Sequence, residues 1–167
     1  MDIVERPAMP AGYGIATGAD GHVAWSWVVA QLVGARSYWV CTTRDDGRPH
    51  AMPVWGIWLD ERLLFSTDPS SMKARNFLAR PDVVVHLESG DDVVIVEGRV
   101  EPMDVALQPA FLDAYEAKYQ HRPTEDQTEG VYQLRADRVL AWQEKDFPTS
   151  ATRFCADRPV VPFGGDC

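Results

Sequence analysis

At 167 residues and a formal net charge of -9, the chain is long enough for one well-packed domain and short for two that fold alone. Its acidic balance, with no Lys/Arg block, excludes the usual electrostatic footprint of a nucleic-acid-binding protein. The opening MDIVERPAMP carries acids where a secretory leader would carry bases, and the longest uncharged run, 21–35, is too short and polar to span a bilayer, so a soluble cytoplasmic protein is expected.

Residues 1–23 are rich in Pro, Gly and Ala without apolar periodicity and read as an irregular lead-in that wraps a partner subunit. Trp25, Val28, Val29, Leu32 and Val33 recur at helical spacing, which predicts an amphipathic helix over 24–35 ended by Gly34. Tyr38 to Thr43 then reads as a strand, Asp46-Gly47 as a tight hairpin turn, and His50 to Leu59 as the return strand. Asp60-Glu61-Arg62 makes the next turn and Leu63 to Thr67 a third strand. Asp68 with Pro69 in the first helical position predicts a capped helix whose stripe is Ala74, Phe77 and Leu78, stopped at Arg80-Pro81.

Val83 to Glu88 and Asp92 to Met103 are β-branched strands joined by Ser89-Gly90-Asp91. A helix over 104–120, with Phe111, Leu112, Tyr115 and Tyr119 on one side and Pro109 near its start, precedes a last strand or pair over 131–144 and a tail of coil. About six or seven strands with two or three short helices give an α+β fold, mainly β, and the hairpin order favours a closed or nearly closed antiparallel barrel. The domain reading is a lead-in at 1–23, a cofactor-binding barrel at 24–155 and a tail at 156–167.

Two segments carry chemistry. Ser66-Thr67-Asp68-Pro69-Ser70-Ser71-Met72-Lys73-Ala74-Arg75-Asn76 places hydroxyls, a helix N-terminus and two cations together, the outline of an anion site. An ordinary capped helix with a solvated basic face fits the same residues. In Pro49-His50-Ala51-Met52-Pro53-Val54-Trp55-Gly56-Ile57-Trp58 the residues alternate between two faces, and Pro53, which cannot donate to a ladder, marks an edge or break. A flat ring could lie there, with Gly56 permitting close approach; aromatic core packing by Trp55 and Trp58 is the plainer alternative.

His86 reads as either a polar group facing a cofactor or a satisfied core or interface histidine. Histidines and carboxylates lack metal-ligand spacing, so no metal is expected, and no nucleophile elbow supports hydrolysis. Cys41, Cys155 and Cys167 form neither a C-x-x-C pair nor an even disulfide set, which suits a reducing compartment, with Cys167 a candidate free thiol.

The ordered segments Asp46-Gly47-Arg48-Pro49-His50-Ala51-Met52-Pro53-Val54-Trp55, Leu64-Phe65-Ser66-Thr67, Ser71-Met72-Lys73-Ala74-Arg75-Asn76 and Pro81-Asp82-Val83-Val84-Val85 resemble the pyridoxamine 5'-phosphate oxidase-like flavin-binding split-barrel superfamily. The resemblance implies that His50, Ala51, Met52, Pro53, Val54 and Trp55 line a flavin ring. It also implies that Ser66, Thr67, Ser71, Lys73 and Arg75 hold the cofactor phosphate or its neighbourhood, with Met72, Asn76 and His86 as further contacts. Many relatives carry Arg where this chain has Met72, which weakens a tight FMN phosphate clamp.

The motif wording is most similar to the branch using the deazaflavin coenzyme F420, while FMN-using relatives share the pattern. A homodimer with cofactor sites at the subunit interface is implied, with Trp142 and Arg153 as contacts from the partner chain. The function expected is an oxidoreductase transferring a hydride to or from a small conjugated substrate. A flavin-, deazaflavin- or haem-binding or sensing protein without turnover is the alternative. Oxidation of pyridoxamine 5'-phosphate itself is disfavoured, because near the end only Arg153 and Arg158 could form its added phosphate pocket. No catalytic acid is assigned; solvent, His50 and His86 are the candidates.

Overall fold

The computed structural model describes residues 1, 3–124 and 130–156. Nine strands form one antiparallel sheet: β1 (Ile3–Glu5), β2 (Tyr38–Thr43), β3 (Pro49–Val54), β4 (Gly56–Leu59), β5 (Arg62–Ser66), β6 (Asp82–His86), β7 (Asp92–Pro102), β8 (Val131–Gln143) and β9 (Thr152–Cys155). Four described helices flank it: α1 (Trp25–Gly34), α2 (Met72–Ala79), α3 (Gln108–Tyr119) and α4 (Phe147–Ser150). None of the described helices is long and apolar enough to cross a membrane.

The strand order is β1-β9-β8-β7-β6-β2-β3, with β4 on β5 and β5 on β8. The long β8 organises this arrangement. One of its edges runs beside all of β7, and the other is shared between β5, which pairs with 131–135, and β9, which pairs with 138–141. The fold is an α+β split barrel whose sheet is not closed, because the path ends at β1 on one side and β3 on the other.

The β2–β3 turn forms because Gly47 takes a φ of 82°, a conformation cheap for glycine, and its amide donates to the carbonyl of Arg44 at 2.9 Å. The predicted return strand is two strands. β3 stays on β2, whereas β4 departs at Trp55 to pair with β5, so the chain changes sheet halves at that residue. The β4–β5 turn bends through Asp60 and Glu61, both at positive φ.

Alternation sorts each strand into faces. Tyr38, Val40 and Thr42 point inward with Val83, Val85, Val94, Val96 and Val139, and the principal core adds Phe65, Phe77, Leu134 and Phe154. Phe77 fixes α2 by meeting Phe65 and Tyr132 at ring separations of 6.0 and 4.7 Å. A second cluster, Ile57, Leu64, Phe111, Tyr115 and Val131, lies under α3. Trp39, Cys41, Val84, His86, Ile95 and Leu140 occupy the opposite, half-buried outer face.

Several local expectations are revised. Gly34 is the last residue of α1, as expected, whereas α2 begins after Ser71, not Asp68. The 104–120 segment opens as a 3-10 turn at 105–107 before α3. The lead-in contains β1, and the coil after β8 contains α4 and β9. Cys41 is a free thiol, but Cys155 is disulfide-bonded, which overturns the reading of an unbridged set. Cys167, Arg158 and the tail from 157 onward lie outside the described residues.

Candidate functional site

The start of α2 is built from short polar side chains. Ser71 caps the helix by accepting from the Ala74 amide at 3.3 Å, and its hydroxyl lies 3.1 Å from that of Thr67. Asp68 cannot serve as the cap because its carboxylate accepts from the Ser70 amide at 2.7 Å, forming the turn that leads in. That bond, together with the nearby Lys73 charge, holds the Asp68 carboxyl below the usual range. The Thr67 amide is fixed by the Gly130 carbonyl at 2.9 Å.

The hairpin end of β2–β3 meets this helix. Asn76, buried at 4% exposure on the inner side of α2, donates through Nδ2 to the Thr42 hydroxyl at 2.8 Å. Thr42 in turn lies 3.4 Å from Nδ1 of His50, its cross-strand partner. Desolvation, then the charges of Arg44 and Lys73, lower the His50 pKa, while the residue's own carbonyl acts in the opposite sense. Burial lowers the Lys73 pKa, with Asp68 opposing. The charges of Arg44 and Lys73 thus both reach His50, on the strand where the sheet path ends, and Lys73 follows the Ser71 cap by two residues.

Arg44 is the member that sequence reasoning missed. Its Nε is buried and has no hydrogen-bond partner among the described residues, a donor left over in a half-buried cluster of cations. In sequence it is the first residue of a charged turn, Arg44-Asp45-Asp46, which reads as solvated. The packing of α2 against the hairpin turns it inward; Asp45 instead pairs with Arg80 of α2's end at 2.8 Å.

The structure therefore brings together His50, Thr67, Ser71, Lys73 and Asn76, with Ser66 half-buried at the end of β5 just before them. Ala51, Met52 and Pro53 are exposed along the terminal strand β3, and Val54 is buried in the core. Met72 and Arg75 of α2 are exposed, whereas Ala74 and Asn76 are buried.

Other candidates lie elsewhere. His86 is on the outer face, parallel to Trp39 at 6.3 Å, with Nδ1 donating to the Leu87 carbonyl at 2.8 Å. Trp55 stacks on Tyr119 at 4.6 Å, and the Arg36 guanidinium lies 5.5 Å from its ring centre. Gly56 is approached closely by β5 backbone, not by an open space for a ring: a Cβ there would stand 2.9 Å from the Leu64 carbonyl oxygen. Trp142 donates to Glu144 at 3.1 Å, and Arg153 is paired with Glu5 at 2.8 Å.

The family model for pyridoxamine 5'-phosphate oxidase matches residues 28–143, well over half of the chain, from α1 to the end of β8. The chain belongs to this family. Among solved structures, a conserved hypothetical protein from Mycobacterium tuberculosis aligns over 90% of this chain and 98% of its own at 20% identity and a TM-score of 0.65. A protein described as an F420 reductase aligns over 65% and 93% at 24% identity and a TM-score of 0.53. A FAD-binding protein from Mesorhizobium loti aligns over 78% and 93% at 18% identity and a TM-score of 0.57. At these identities the likeness establishes the shared fold. Among curated proteins no sequence matches the chain.

Proposed function

We propose that this member of the pyridoxamine 5'-phosphate oxidase family is a coenzyme F420- or FMN-dependent oxidoreductase that moves a hydride to or from a small conjugated substrate. The observation that carries the reading is the pairing of Lys73, two residues after the linked Thr67 and Ser71 hydroxyls, with Arg44 as the two cations whose charge reaches His50 on a strand whose outer edge is free. Positive side chains, hydroxyls and an orphaned buried donor match the anionic tail of either cofactor. The deazaflavin is favoured, since the exposed Met72 adds no cation to that cluster.

When bound, the cofactor supplies the hydride chemistry; the chain supplies binding, orientation and a screened environment. Lys73, Arg44, Thr67 and Ser71 would hold the tail, and Ser66 would border it. His50, Ala51, Met52 and Pro53 of β3 would lie along the ring, because a terminal strand presents main-chain groups that no neighbouring strand uses. Val54 and Trp55 would support that strand from behind, Trp55 through its stack on Tyr119.

The reading includes a cytoplasmic homodimer. The outer sheet face carries Trp39, Val84, Ile95 and Leu140, a half-buried apolar set on adjacent strands that a second copy would cover.

A side-by-side fluorescence titration of purified protein with FMN and coenzyme F420 tests this function, followed by a screen of conjugated acceptors with the reduced form of whichever binds. Micromolar or tighter binding and turnover of an acceptor is the expected result. Tight binding without turnover of any acceptor would move the assignment to a carrier or sensor, and binding of neither cofactor would end it.

A further inference from the structure

A polar chain, Asn76 to Thr42 to His50, runs beneath the tail-binding cluster. Asn76 and Thr42 are each 4% exposed, inside a core otherwise made of Val40, Phe77, Val83 and Val85. Burying a side-chain amide and a hydroxyl in such a place costs free energy unless each finds its partners. Asn76 Nδ2 can only donate, so at 2.8 Å the Thr42 oxygen accepts from it. The Thr42 hydroxyl hydrogen must then go elsewhere. Two acceptors are in reach, both on His50 and both at 3.4 Å: Nδ1 of the ring and the backbone carbonyl.

The two arrangements differ in how donors and acceptors balance. If Nδ1 carried the ring proton, that N–H and the Thr42 hydroxyl would compete for the one His50 carbonyl. If Nδ1 is unprotonated, the Thr42 hydroxyl has an acceptor on His50 without a competitor and the ring proton sits on Nε2. Nε2 has no partner among the described residues and is not sealed in the core.

We propose that Asn76 and Thr42 are positioning residues that hold the His50 imidazole in its Nε2–H tautomer, making it a fixed hydrogen-bond donor to the bound cofactor. The idea rests on the functional reading above for what His50 would contact, and on the structure alone for the tautomer. The charged groups that act on His50 act in one direction: Arg44 on the hairpin and Lys73 on α2 both disfavour a second ring proton. A donor with no charge of its own suits a ring carbonyl or ring nitrogen, leaving full charge to the tail-binding groups.

The test is long-range proton–nitrogen NMR of the imidazole in cofactor-free, nitrogen-15-labelled protein, which reads which ring nitrogen carries the proton. Wild type is expected to show Nδ1 unprotonated. Thr42→Val, which keeps shape and removes the hydroxyl, is expected to give mixed tautomers, and Thr42→Ser to restore the wild-type pattern. In parallel, Thr42→Val should weaken cofactor binding roughly three- to tenfold, with Thr42→Ser near wild type.

A wild-type ring protonated at Nδ1, or a Thr42→Val spectrum unchanged from wild type, would overturn the relay. Should Thr42→Val not fold, the wild-type spectrum alone decides. The spectrum needs no cofactor, so failure to bind FMN or F420 would defeat the functional reading and leave the relay measurable. Binding with the wrong tautomer would defeat the relay alone.

Discussion

Lys118, in the last turn of α3, donates to the carbonyl of Gly56 at 3.1 Å, at the residue where the chain leaves β3 for β4. The same ammonium donates to the Tyr38 hydroxyl at 2.9 Å, and the Tyr119 hydroxyl accepts from the Gly56 amide at 2.9 Å. The sheet split is thus tied from outside by α3, whose side chains replace the ladder partners Gly56 lacks. Burial pushes the Lys118 amine down to about 8 from 10.5.

Between those two values the unfolded chain binds more protons at Lys118 than the folded one, so this group makes stability rise with pH across that window. Urea unfolding of wild type and Lys118→Met from pH 7 to 10 checks it. The wild-type midpoint should climb relative to the variant's as pH passes 8, because Met keeps the apolar stem and has nothing to titrate. Parallel curves would show that Lys118 is solvated and that the tie at Gly56 is loose.

Gly98 sits at the register shift between β7 and β8, where a Cβ would stand against the Arg135 carbonyl oxygen. The obstacle is backbone that cannot move without breaking the ladder on both sides. Gly98→Ala should therefore cost about 1–3 kcal/mol, as overpacking does. Thermal unfolding monitored by circular dichroism measures it, and a melting point within error of wild type would mean that the bulge relaxes freely.

What could be read from the residues divides by range. Asp46-Gly47 announced the β2–β3 hairpin because a positive φ and a short turn are local facts. Pro53 marks an edge or break in the return strand, but the change of sheet half at Trp55 is not local: Lys118 and Tyr119, which tie it, lie more than sixty residues away. Asp68 and Ser71 each had the chemistry of a cap, and the choice between them depended on Asp68 bonding to Ser70. β1 and β9 are too short for periodicity: β9 exists by lying on β8, and β1 by pairing with β9. Arg44 looked like a solvated turn charge until α2 packed against its hairpin.

Lys73 and Arg75 share one helix but face different environments, Lys73 half-buried and Arg75 exposed. On the proposed reading, Lys73→Ala loses a charge-assisted bond to the cofactor tail and weakens binding by about 1.5–3 kcal/mol. Arg75→Ala should change affinity little, since a screened surface charge is worth at most about 1 kcal/mol. Titrations of both variants with FMN and coenzyme F420 separate them. Equal losses would mean that the cluster acts through net charge, and no loss in Lys73→Ala would remove the anion site.

Leu140 and Ile95 lie opposite each other on β8 and β7, on the outer face, between the Trp39–His86 stack and the Arg153–Glu5 pair. A half-exposed leucine in a sheet face of this kind contributes little to a monomer and much to an interface with a second copy, where it would be fully covered. Leu140→Lys places a charge at the middle of that surface without disturbing the inward-facing Val139 and Ala141 on either side. Light scattering coupled to gel filtration should find wild type at twice the chain mass and the variant shifted toward a single chain, with far-ultraviolet dichroism unchanged. If wild type runs as a monomer there is no homodimer, and if the variant remains dimeric the subunits meet through another surface.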